Sequence, residues 1–110
     1  MPKAGVFSYR MFIDDIRDPI DADWRIARTS AEAIAMLEDL GCPSEISFDH
    51  DLGGDDTAMF VVRRLIDRDL DAGGTFIPAT FIYSIHSANP VGRENIQGLL
   101  SQYLAVRENP

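Results

Sequence analysis

The sequence predicts a single α/β domain built on a mostly parallel sheet, with the first crossover helix missing. Three observations carry this reading. Short apolar runs with β-favouring residues alternate with amphipathic helical stripes, as in parallel α/β sheets. Three of the runs end abruptly in polar clusters. Too few residues separate the first two runs for a helical crossover, so that connection crosses without a helix or the second strand pairs antiparallel. At 110 residues the chain is long enough to bury a core without staples, and 45% apolar with 25% charged residues is a globular balance.

Taken in order, residues 1–9 read as an N-terminal extension, with Tyr9 at its junction to the first strand, which is buried and ends at Asp14-Asp15. Residues 15–23 contain Pro19 and no helical stripe, so they form a loop. Residues 24–28 alternate apolar and basic side chains, the pattern of a half-exposed edge strand. Thr29-Ser30-Ala31-Glu32 matches a capping box, Ala33, Ile34, Leu37 and Leu40 supply one helical face, and Gly41 with Pro43 stops the helix.

Residues 45–48 form a short strand running into Asp49-His50-Asp51. Gly53-Gly54 makes a turn, and Asp55-Asp56 favours a helix start through the helix dipole. That helix turns Val62, Leu65 and Ile66 inward and fades at residues 71–74. Residues 78–85 are the most apolar run and suit a strand covered on both faces. Asn89 as N-cap and Pro90 at the first turn open a last helix with Ile96, Leu99, Leu100, Tyr103 and Leu104 on one stripe. Residues 105–110 read as a tail, in which 105–107 are a strand stub or a frayed end.

Composition excludes several roles. The formal net charge of −8 leaves no broad nucleic-acid surface, because phosphate backbones need a basic stripe. It leaves room for a small phosphorylated ligand or an RNA end, since local donors or one cation invert the sign inside a pocket. The lone Cys42 forms no internal disulfide and sits in a Gly-Cys-Pro turn as a plain loop residue. With no evident signal peptide and no bilayer-length apolar run, the expected compartment is cytoplasmic.

The polar clusters lie where open α/β sheets bind ligands, outside the carboxyl ends of strands. Crowded carboxylates at Asp14, Asp15, Asp49 and Asp51 call for a cation. Oxygen ligands favour Mg²⁺ or Mn²⁺, and two nearby histidines suit Mn²⁺ or Zn²⁺, so the expectation is a divalent metal, Mg²⁺ or Mn²⁺ ahead of Zn²⁺. Arg17 and Arg93 would clamp a phosphate, and residues 90–92 offer helix N-terminal N–H groups, with Gly92 small enough for close anion approach. Singly, these residues have plainer roles: Asp49 and Asp51 as turn caps, His86 as a core histidine, Asn89 as an N-cap, Arg93 as a solvated side chain. Asp55-Asp56 reads as a helix-start pair, and Trp24 and Tyr83 as core.

Together the clusters resemble the receiver fold of two-component response regulators. An acidic pair follows the first strand, Asp49 takes the phosphoacceptor position, and Ser87-Ala88 stands where receivers carry Thr/Ser-Ala. The resemblance implies a flavodoxin-like three-layer sandwich. Two departures stand out: the first helix is absent, and Lys3 is the only lysine, so the lysine that senses the phosphoryl group is missing. The chain is more similar to the cyclic-phosphate-processing receiver-like domains, through Phe12-Ile13-Asp14-Asp15-Ile16-Arg17, Ser47-Phe48-Asp49-His50-Asp51-Leu52-Gly53, and His86-Ser87-Ala88-Asn89-Pro90-Val91-Gly92-Arg93-Glu94-Asn95. That resemblance implies action on cyclic phosphates in nucleotide metabolism or RNA repair.

The resulting expectation is a metal-assisted phosphoesterase. Asp49, His50, His86 and Ser87 are the candidate catalytic residues. Arg17, Asn89, Arg93 and Asn95 are the candidate phosphate ligands, and Asp14, Asp15, Asp49 and Asp51 the candidate metal ligands. The alternatives are an inactive receiver that binds a phosphorylated ligand or a protein partner, and a purely structural interaction module.

Overall fold

In the computed structural model, which describes residues 8–108, four short strands alternate with three helices among the described residues. They are β1 (Arg10–Ile13), β2 (Arg25–Ala27), α1 (Ser30–Leu40), β3 (Glu45–Phe48), α2 (Met59–Asp71), β4 (Ile82–Ile85) and α3 (Pro90–Glu108). The sheet order is β2-β1-β3-β4, and every pairing is parallel. Residues 14–24 therefore make a crossover without a helix, which resolves the alternatives for the second strand.

Alternation along the strands sorts side chains onto two faces. Met11, Ile13, Ala27, Ile46 and Phe48 share one face and are fully buried. They pack with Ala33 and Leu37 of α1, Val61 and Leu65 of α2, and Ile96 and Leu100 of α3 into one core. All three helices thus cover the same face of a receiver-like α/β sheet. Among the described residues the opposite face has no helical layer. Phe12 is covered there by the edge of Trp24, with ring centroids 5.8 Å apart, and Arg10 lies over the Trp24 ring. This follows from the missing first helix: one aromatic residue on the β1–β2 connection occupies part of its place.

Several boundaries differ from the expectations. Asp56 does not start its own helix. Its carboxylate accepts from the Ser30 N–H at 2.9 Å and the Ser30 hydroxyl at 2.5 Å, so it caps α1 from outside, while α2 begins after Ala58 without a side-chain cap. Thr29 accepts from the Glu32 N–H as expected, but Glu32 returns to the N–H of Arg28 rather than to that of the cap itself. The apolar run at 78–85 yields a strand only at 82–85. It lies at the sheet edge with Ile82 exposed, because among the described residues no fifth strand covers it.

Residues 105–107 are helical, since Arg107 ties the last turn of α3 to Asp69 and to the Ile77 carbonyl. At the other end Tyr9 is core: it is buried, and its hydroxyl donates to the Gly41 carbonyl at 2.7 Å. Residues 1–7 lie outside the described residues. Burial, followed by the charge of Asp69, pushes the Cys42 thiol up to about 12, so it stays protonated and unreactive. Among the described residues no helix is long and apolar enough to cross a membrane.

Candidate functional site

The end of β1 delivers Asp14 into a fully buried position. Oδ1 accepts from the N–H groups of Ile16 and Arg17 at 3.0 and 2.8 Å, which folds the chain back just after the strand. Oδ2 faces His86 Nε2 at 3.0 Å and Arg17 Nε at 3.1 Å. Burial pushes the Asp14 carboxyl up, but the two N–H groups, His86 and Arg17 outweigh it and hold it below the usual carboxylate range. Arg28 secures the same turn, donating to the carbonyls of Asp14 and Arg17 and pairing with Asp18.

Asp49, at the end of β3, lies beside it. Asp14, Asp15 and Asp49 each bring a carboxylate oxygen within 4.8 Å of the others. Arg17 Nη2 approaches Asp49 Oδ2 at 3.7 Å, so one guanidinium spans Asp14 and Asp49. Burial, then repulsion from Asp14, push the Asp49 carboxyl above its ordinary value. Two neighbouring carboxylates are thereby driven in opposite directions, a pattern that separates acid and base roles in active sites.

Asp51 does not join this group. Its side chain is largely exposed, accepting from His50 Nδ1 at 3.0 Å and from Asn89 Nδ2 at 3.1 Å. The Asn89 amide, first, and His50, second, hold its carboxyl below the ordinary value. Asn89 caps α3, with Oδ1 accepting from the Gly92 N–H at 3.1 Å, and its own N–H donates to the Ser87 hydroxyl. Ser87 is buried in that turn.

The space at Gly92 belongs to the His50 ring and is not open to an anion. A Cβ there would lie 2.7 Å from His50 Nδ1 and 2.8 Å from His50 Cβ. Arg93 turns its Nη1 to the carbonyls of Ile85 and Ser87, where it covers the end of the open β4 edge. Asn95 is exposed on α3. Of the phosphate ligands expected from sequence, only Arg17 therefore stands among the carboxylates.

Sequence reasoning missed Ser47 and Phe12. The His86 ring stacks on Phe12, with centroids 4.6 Å apart and planes within 4°, and its Nδ1 lies 2.7 Å from Ser47 Oγ. The available signal was alternation: a lone serine two residues before Asp49 falls on the face opposite Ile46 and Phe48, beside Phe12.

A family described as the cyclic-phosphate processing receiver domain matches residues 9–102. The chain belongs to that family. The match runs from the buried Tyr9 into the last third of α3, so it takes in every strand end described above. No curated protein and no solved structure matches the chain. Within this receiver domain the acidic pair, Asp49 and Ser87 stand at the ends of the first, third and fourth strands.

Proposed function

We propose that the chain is a phosphoesterase opening a cyclic or terminal phosphate ester on a nucleotide or RNA end. One observation supports it above the rest: the convergence of Asp14, Asp15 and Asp49 around Arg17 at the carboxyl edge of the sheet. Three hard oxygen donors fit Mg²⁺ or Mn²⁺, and Asp14, Asp15 and Asp49 would hold the ion. When bound, it would neutralise charge on the phosphoryl oxygens.

Arg17 is half-exposed and supplies a fork able to bind those oxygens as charge develops. His50 is the proton carrier in this reading, because one of its ring nitrogens is uncommitted while both of His86's are engaged. Its Nδ1 must carry the hydrogen toward the acceptor-only Asp51 carboxylate, which leaves Nε2 as the open nitrogen. Asp51, itself held by Asn89, and the close packing against Gly92 fix that ring.

The test is a panel of 2′,3′-cyclic and 3′,5′-cyclic nucleotides with Mg²⁺, Mn²⁺ and Zn²⁺, using wild type and Asp49→Ala. Turnover that vanishes in Asp49→Ala is expected, and equal activity in the variant contradicts the assignment. A second reading, an inactive receiver that binds a phosphorylated ligand, is favoured by Arg17 already filling the gap between two carboxylates. It requires that a cyclic nucleotide raise the melting temperature without being consumed.

A further inference from the structure

The two histidines differ in what their ring nitrogens are free to do. His50 commits one nitrogen, whereas His86 commits both, Nε2 to Asp14 at 3.0 Å and Nδ1 to Ser47 at 2.7 Å. We propose that Ser47 is a positioning residue that fixes His86 as its Nε2–H tautomer, so that His86 orients Asp14 rather than touching substrate. The proposal rests on the phosphoesterase reading and deepens it.

For a neutral His86 ring the hydrogen bonds allow one direction through this chain. The Asp14 carboxylate only accepts, so the hydrogen between it and His86 sits on Nε2. Nδ1 of the neutral ring is then an acceptor, and the Ser47 hydroxyl donates to it. That leaves the Ser47 oxygen to accept from Ser84, whose hydroxyl lies 3.3 Å away. Donation therefore runs Ser84 to Ser47 to His86 to Asp14. Each bond polarises the next, and the last arrives at a carboxylate of the proposed site.

The seat for the ring is built on the sheet face opposite the three helices. Phe12, Ser47 and Ser84 are register partners on β1, β3 and β4. Phe12 supplies a flat surface under the ring, and Ser47 the hydroxyl beside it. A central strand ordinarily favours a β-branched or aromatic residue at such a position. Serine there adds little packing, but it is small enough to leave room for an imidazole and it brings a donor. An outer partner of this kind fixes tautomer and ring orientation, and its loss typically costs about 10–100-fold in activity at metal sites.

The experiment combines histidine side-chain ¹H–¹⁵N correlation spectra with turnover of the best cyclic nucleotide from the panel. Three variants are compared: Ser47→Thr keeps the hydroxyl, Ser47→Val matches threonine in shape without it, and Ser47→Ala serves if valine disturbs the fold. His50→Gln leaves His86 as the only histidine and assigns its signals. The expected result is an Nε2–H pattern for His86 in wild type and Ser47→Thr, lost in Ser47→Val or Ser47→Ala. kcat should fall roughly tenfold or more in the latter pair, with KM nearly unchanged and the threonine variant restoring it. A retained Nε2–H pattern in Ser47→Val and Ser47→Ala overturns the proposal. So does a lost pattern with wild-type kcat. If no cyclic nucleotide is consumed by wild type, the phosphoesterase reading fails instead, and the spectra alone decide the role of Ser47.

Discussion

Asp14 and Asp69 are both fully buried, both sit beside an arginine, and both are held below the ordinary carboxylate range. Asp69 lies on α2 at the opposite end of the molecule from the strand ends. Its Oδ1 accepts from the Ile77 N–H at 2.8 Å, and Oδ2 from the Tyr103 hydroxyl at 2.6 Å, with Arg107 Nη1 3.3 Å from each oxygen. It joins α2, α3 and the segment before β4. Among the described residues, no cluster of three acidic, histidine or cysteine side chains forms around it as Asp14, Asp15 and Asp49 do at the other end. The difference shows that burial, hydrogen bonds and an ion pair do not by themselves mark a site. What sets Asp14 apart is a neighbouring acid, Asp49, driven in the opposite direction.

Substitutions should separate the two ends, beginning with the largest effect. Asp69→Ala strips partners from Arg107, Tyr103 and the Ile77 N–H at once, and should cost roughly 3–5 kcal/mol in urea unfolding. Turnover per folded molecule should remain at the wild-type level. Gly92→Ala drives a methyl group against the base of the His50 ring, closer than any real Cβ contact, so the ring or α3 must shift. Destabilisation of about 1–3 kcal/mol, with reduced turnover, is expected, although alanine is the better helix former.

Asp49→Asn removes a charge that burial and Asp14 disfavour. It should leave stability within about 1 kcal/mol of wild type, on the stabilising side, while abolishing turnover. Acid unfolding gives the smallest contrast. A carboxyl held below its unfolded value stabilises the fold above that value, and the gain is lost as pH falls through the folded value. Asp69→Asn should therefore show a shallower loss of stability than wild type below the ordinary carboxylate range.

Much of the fold was legible because local signals agreed with the tertiary structure. The Thr29 cap, the Gly41 stop and the Asn89-Pro90 start each satisfied their own helix ends, and the strand ends fell at charged residues. What failed was decided at a distance. Asp56 looked like half of a helix-start pair for the helix that follows it, yet Ser30, 26 residues earlier, takes its carboxylate. The run at 78–85 looked doubly covered because periodicity cannot show that a sheet stops at its fourth strand. In the site, the acidic residues were readable one by one, but the partner of each was not. Asp51 belongs with His50 and Asn89, Arg93 with backbone carbonyls, and Ser47 with His86, pairings set by strand register and by the helix start.

The most direct measurement is turnover of a 2′,3′-cyclic nucleotide per folded molecule, with melting temperature, for wild type, Asp49→Asn and Asp69→Asn. The expected result is a drop of about a hundredfold or more in Asp49→Asn without loss of melting temperature. Asp69→Asn should melt lower and turn over normally. An Asp49→Asn variant as active as wild type, or an Asp69→Asn variant that loses turnover while keeping its melting temperature, would contradict the assignment of chemistry to the Asp14–Asp49 end.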